Sequence, residues 1–196
     1  GDGGVKCWGF NGNGQLGLSG TAPRLVPTDV PGVPAGAVAI EAGDQHTCAL
    51  TTAGAMKCWG SNANGRLGDN STASRATPAD VSGFTSGATA ITAGGLHSCA
   101  VTTDRGARCW GWNESGQLGD DSTTQRLTPV DVSGLTSGVA AITAGANHTC
   151  AITSTSGVKC WGYNAFNLIN NSTTVPVDVP GLVDVVAIAA GALHTC

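Results

Sequence analysis

Eight cysteines and four histidines are the residues of this 196-residue chain best equipped for chemistry, and their spacing narrows what that chemistry is. The cysteines stand at 7, 48, 58, 99, 109, 150, 160 and 196. An even number of recurring cysteines reads as a disulfide framework or as metal ligands. Structural zinc sites place two ligands about two to four residues apart, whereas nine residues separate Cys48 from Cys58, Cys99 from Cys109 and Cys150 from Cys160, with a turn in each gap. Around Ala53-Gly54, the pairs Cys48/Cys58 and Leu50/Met56 are centred on one point, so a hairpin in that register sets the cysteines opposite each other. Directly opposed residues lie about 4.5 to 5.5 Å apart between Cα atoms, within reach of a disulfide. The expectation is three cross-strand bonds and the oxidising compartment that preserves them, placing the chain outside the cell or on its surface. Cys7 and Cys196 fit as further disulfide positions whose counterparts are not beside them. Three arrangements stay open: pairing with chain beyond this segment, with each other in a short closed ring, or with a neighbouring copy.

His46, His97 and His148 recur every 51 residues, and His194 follows after 46. Equivalent histidines around a channel would suit a metal, but a histidine placed before a hydroxyl residue and a cysteine in each copy is read as making one repeated hydrogen bond. No metal and no cofactor are expected. Trp8, Trp59, Trp110 and Trp161 each sit between Cys and Gly and read as core. The position two residues further on varies: Phe10, Ser61, Trp112, Tyr163. With Phe166, these aromatics form a candidate binding patch for a partner protein or a glycan, the alternative being filler between repeats. Asp69-Asn70-Ser71-Thr72 and Asp120-Asp121-Ser122-Thr123 offer oxygen ligands of the kind Ca²⁺ takes, without alternating acids, and read as solvated turns. Asn70, Asn113, Asn147 and Asn171 begin glycosylation sequons. No Gly-x-Ser-x-Gly, His-Glu-x-x-His or phosphate loop is present. The repeated Asp29, Asp80 and Asp131 read as turn or ion-pair elements with the repeated Arg24, Arg75 and Arg126, and no enzyme is expected.

The elements that position these residues follow from the period. Offsets of 51 link the four Cys-Trp-Gly segments, and also Gly14-Gln15-Leu16-Gly17, Gly65-Arg66-Leu67-Gly68 and Gly116-Gln117-Leu118-Gly119. The units run at about 1–51, 52–102, 103–153 and a shortened 154–196, in which Asn167-Leu168-Ile169-Asn170 replaces the glycine bend. Each holds about four short strands, and no window has helical spacing of apolar residues. Thirty glycines and a charged fraction of 11%, against about 25% in typical proteins, agree with an all-β chain of many turns. Nine scattered basic residues against thirteen acidic ones give a net charge of -4, which excludes nucleic acid as a partner. The longest apolar run, Val185 to Ala190, is far short of the roughly 20 residues of a spanning helix. The chain opens on Gly1 without an initiator methionine, which points to a preceding segment.

The repeated Ala-Gly-x-x-His-Thr-Cys-Ala, Cys-Trp-Gly-x-Asn and Gly-Gln-Leu-Gly resemble the repeat of the regulator of chromosome condensation, RCC1, across all 196 residues. The resemblance implies a β-propeller of seven blades, about four of them in this chain, and the paired cysteines look like bacterial extracellular versions of the repeat. It also brings a nucleotide-exchange function for a small GTPase, which the disulfides and acidic balance disfavour, and enzyme inhibition, as in some secreted relatives. The reading carried forward is a non-catalytic structural or protein-interaction unit, one segment over 1–196, that binds a partner protein or self-associates.

Overall fold

The computed structural model describes residues 4–33, 36–163 and 172–196. Among these residues every regular element is a strand. β1 (Lys6–Gly9) pairs with β2 (Arg24–Asp29) in a two-stranded sheet. Three four-stranded antiparallel sheets follow: β3 (Ala37–Ala42), β4 (His46–Thr51), β5 (Met56–Gly60) and β6 (Arg75–Asp80); β7 (Ala88–Ala93), β8 (His97–Thr102), β9 (Ala107–Gly111) and β10 (Arg126–Asp131); β11 (Val139–Ala144), β12 (His148–Thr153), β13 (Val158–Gly162) and β14 (Thr173–Asp178). An isolated bridge joins Ala190 to Thr195 at the position of the next sheet's first turn. The first strands β3, β7 and β11 lie against one another and mark the axis, while each last strand carries a proline, which suits an outer edge where a ladder donor is dispensable. Each sheet therefore takes two strands from one sequence unit and two from the next.

The hairpin register is the one read from the cysteines: Cys48 faces Cys58, Cys99 faces Cys109 and Cys150 faces Cys160, and all three pairs are disulfides. Cys7 and Cys196 are free thiols, half-buried and exposed respectively, and are not joined to each other.

Seams between sheets are built from one repeated device. Trp110 is fully buried; its Nε1–H donates to the Arg66 carbonyl at 2.9 Å, and the Ser98 hydroxyl donates to the same oxygen at 2.9 Å. Trp161 and Thr149 share the Gln117 carbonyl in the same way, and Trp59 and Thr47 that of Gln15. Gly68 and Gly119, at φ +71° and +70°, lie where an added Cβ would come within 2.7 Å of the Trp110 and Trp161 indole nitrogens. Only glycine holds that turn against that ring. Trp8, equivalent in sequence, is instead 59% exposed, because no described residue packs on that side of β1.

The histidines complete the seams. His46 Nε2 lies 2.8 Å from Ser98 Oγ, His97 Nε2 2.8 Å from Thr149 Oγ1, and His148 Nε2 2.9 Å from Thr195 Oγ1. The Ser98 and Thr149 hydroxyl hydrogens are committed to carbonyls, so these oxygens accept and the imidazoles donate from Nε2. Nδ1 of His46 and of His97 is then an unpartnered buried lone pair. Burial, the Arg66 charge and the neighbouring His97 push His46 down to about 3, and burial followed by His148 does the same to His97.

Candidate protein-interaction face

Strand directions sort the loops onto two faces. The turns after β3, β7 and β11 and the loops after β1, β5, β9 and β13 share one end of the sheets, here the upper face. The β4–β5, β8–β9 and β12–β13 hairpins lie on the lower face with the segments that lead into each new sheet.

The upper-face loops are held rigidly from below. Asn113 is fully buried; its Oδ1 accepts from Leu118 N at 2.9 Å, and its Nδ2 donates to Asp120 Oδ1 and to the Ser122 and Thr124 carbonyls at 3.0 to 3.1 Å. Asn62 repeats this arrangement. The Asp120 carboxylate also accepts from Ser122 Oγ and from Arg126 Nε at 2.7 Å. Burial alone would raise its pKa, but hydrogen bonds from Ser122, Arg126 and Asn113 and the arginine charge hold it below the usual carboxylate range. Asp69 behaves alike with Ser71, Arg75 and Asn62. These acids are neither solvated turn residues nor open cation ligands: their side chains are 8% and 5% exposed, and their oxygens are filled by donors. Asn113→Ala should cost about 2 to 4 kcal/mol, since it strands several buried groups worth roughly 1–3 kcal/mol each; urea unfolding measures it.

Two readings are corrected here. Of the repeated arginines, Arg75 and Arg126 pair with Asp69 and Asp120 in their own loops and Arg24 reaches only the Pro23 carbonyl among the described residues, so none pairs with the Asp of Asp-Val. That Asp meets the basic residue before each Cys-Trp-Gly: Lys6–Asp29, Lys57–Asp80, Arg108–Asp131 and Lys159–Asp178, at 2.6 to 2.8 Å. The recurrence of Lys6, Lys57, Arg108 and Lys159 at 51-residue intervals was the missed signal.

Arg66 stands where the neighbouring loops have Gln15 and Gln117, whose Oε1 atoms accept from Asn13 N and Ser115 N at 2.9 and 3.0 Å. A guanidinium has no acceptor for that bond. Arg66 is 3% exposed, its Nε is unpartnered, and its Nη1 reaches only the Gly95 carbonyl at 3.4 Å. Arg66→Gln restores that acceptor and removes a buried charge, but the amide nitrogen it brings is itself unpartnered at Gln117, so the net stabilisation should be about 1 kcal/mol or less, read as a raised urea midpoint.

On this frame the variable aromatics occupy one position of successive sheets. Phe10 is 70% and Tyr163 44% exposed, Trp112 is half-buried, and Ser61 is buried between Phe10 and Trp112. No ring contact joins Phe10, Trp112 and Tyr163, so they share a face without stacking on each other. Phe166 lies outside the described residues. Three of the four positions are tied to a turn residue nearer the axis that spacing alone did not reveal: Ser61 N donates to Gln45 O, Trp112 N to Leu96 O and Tyr163 N to Asn147 O, at 2.8 to 3.0 Å. The surface unit is thus a pair of variable residues, such as Leu96 with Trp112. Among the sequons, Asn113 is consumed by its hydrogen bonds, Asn147 is half-buried, Asn70 is exposed, and Asn171 lies outside the described residues. Among the described residues no group of three metal-ligating side chains forms. Apolar grooves of about 330 and 270 Å³ lie between β1 and the β3–β4 side of the next sheet, beside Trp8, Phe10 and Ile40, and between β13 and the C-terminal segment, beside Val158, Val185 and Ile188.

Comparison with known proteins agrees with this architecture. The family model of the regulator of chromosome condensation (RCC1) repeat matches residues 2–50, 54–101 and 109–152. The Ultraviolet-B receptor UVR8 of Arabidopsis thaliana is 27% identical over 95% of this chain and 43% of its own length, and the probable E3 ubiquitin-protein ligase HERC3 of Homo sapiens is 34% identical over 91% and 18%. The structure of human WBSCR16 superposes with TM-score 0.85 at 20% identity, covering 99% of this chain and 52% of that one. Yeast RCC1 (Prp20), solved bound to Kap60, gives 0.84 at 19%, covering 98% and 49%. The chain thus spans about half the length of those structures and less of those relatives. With three matched repeats, their seams and their sheets in place, the chain belongs to the RCC1 repeat family and folds as a β-propeller of that kind.

Proposed function

We propose that this chain, as one segment over 1–196, is a non-catalytic protein-interaction module of an oxidising, extracellular or cell-surface setting, binding through the upper face. The observation that carries this is the separation of roles. Buried Trp, His, Asn and disulfide positions repeat from sheet to sheet, while positions 10 and 163, exposed, and 112, half-buried, change on one face. The named relatives support it, since yeast RCC1 is solved with a protein partner, and three buried disulfides support the setting. Aromatics gathered on one face also favour the inhibitor form of this reading, in which the covered partner is an enzyme.

The test is affinity capture from the medium and cell surface of the native source, with the wild-type chain and with Trp112→Ser/Tyr163→Ser. A polypeptide held by the first and lost by the second is expected; equal capture by both would overturn the assignment to this face. The two grooves, one beside the edge of β1 left unpaired among the described residues and one beside the C-terminal segment, favour a second use, the addition of further strands and blades, either of one longer polypeptide or of another copy. In that case Cys7 and Cys196 each take the cysteine of the adjoining hairpin. Non-reducing electrophoresis reads this directly, copies joined by Cys7 or Cys196 running as multimers that dithiothreitol dissolves.

A further inference from the structure

We infer that the axial mouth of the upper face receives a lysine or arginine side chain from the partner polypeptide. This rests on the reading of that face as the interaction surface and names the chemistry it selects. Where the turns after β3, β7 and β11 converge with Gly191, a cavity of about 220 Å³ opens on the axis. Its walls are alanines and glycines of four successive turns, and Asp44 is the one ionisable side chain in its lining. Walls without bulky side chains beside a carboxylate leave room for an aliphatic stem with a cationic head.

The rim points the same way. Asp44 Oδ2 lies 3.0 Å from the Cβ position of Gly95, the neighbour of Leu96, and Leu96 is bonded to Trp112. A chain that places a cation at Asp44 therefore crosses Leu96 and the indole, with Glu114 exposed two residues further on. Aromatic faces attract cations, most strongly where water is excluded. No ion pair engages Asp44 or Glu114 among the described residues. Of the cations of this face, Arg75 and Arg126 are tied to buried carboxylates, Arg66 is buried beneath Gly95 and attracts Asp44 from below, and Arg24, which has no carboxylate partner among the described residues, stands away from the axis at the start of β2. The charge left exposed around the mouth is negative, so the complementary partner surface is positive.

The test is selection of random twelve-residue peptides displayed on phage against the immobilised 196-residue chain, followed by affinity measurement of the enriched peptides. Enriched sequences should carry lysine or arginine, weaken about tenfold on Asp44→Asn and several-fold on Glu114→Gln, and weaken with added salt. Arg66→Gln, which removes a buried positive charge near Asp44, should tighten them. Peptides that are neutral or acidic yet lost on Trp112→Ser would overturn the cation assignment and leave the face assignment standing. Peptides indifferent to all four substitutions, or no enrichment, would overturn both.

Discussion

At pH 5 the chain should be about 4 kcal/mol less stable than at pH 7, a shift large against the 5–15 kcal/mol of a typical domain. His46 and His97 are held neutral in the fold, with pKa values near 3, against about 6.5 in the unfolded chain. Below pH 6.5 the unfolded state binds protons that the folded state refuses, so stability is complete above that value and falls as the pH drops toward 3. At pH 5 each histidine accounts for about 2 kcal/mol. His148, lowered by burial and by His194, adds in the same direction. Asp69 and Asp120 are held below their ordinary values and titrate at lower pH, outside this window, whereas Glu41, raised by burial, takes up its proton more readily in the fold and offsets a part of the loss. Urea unfolding at pH 7 and 5, with disulfides intact, measures the difference. His97→Gln retains a donor toward Thr149 and should remove close to half of it, whereas equal midpoints at both pH values would show that the imidazoles are not locked neutral.

Trp110→Ala is expected to cost about 3 to 5 kcal/mol, the range for deleting a large buried aromatic side chain. The indole is fully buried, packs with Phe84 at 6.0 Å between ring centroids, and fills one of the two acceptor directions of the Arg66 carbonyl. Its loss opens a cavity against Gly68 and Val81, which the disulfide-bonded strands on either side cannot close by collapsing. Trp8→Ala, at the same position of the period but exposed in this chain, should change stability by no more than about 0.5 kcal/mol, as surface substitutions usually do. A pair of equal costs would show that the ring does not act through the seam.

Much of this was legible because a strict period turns one local inference into several. The Cys48/Cys58 register, once read from the symmetry of a single hairpin, held for Cys99/Cys109 and Cys150/Cys160, and the repeated histidine bond followed from what buried imidazoles require. Contacts between segments distant in the chain were not legible. That Trp110 and Ser98 share the Arg66 carbonyl depends on how one sheet's loop meets the next sheet. The pairing of Asp80 with Lys57 rather than Arg75 depends on a register that shifts at Gly60, where φ is +107° and an added Cβ would meet the Gln45 carbonyl at 2.5 Å. The partnership of Leu96 with Trp112 was hidden for the same reason, since it joins the turn after β7 to the loop after β9.

The measurement that bears most directly on a rigid repeated frame carrying a separable binding face is the urea unfolding of Phe10→Ser/Trp112→Ser/Tyr163→Ser. If the three aromatics belong to the face, the triple variant should lose less than about 2 kcal/mol in all, most of it at half-buried Trp112, since exposed sites usually cost about 0.5 kcal/mol or less. A loss as large as that of Trp110→Ala would mean that these rings are packing between sheets, and the face assigned to partner binding would be part of the frame.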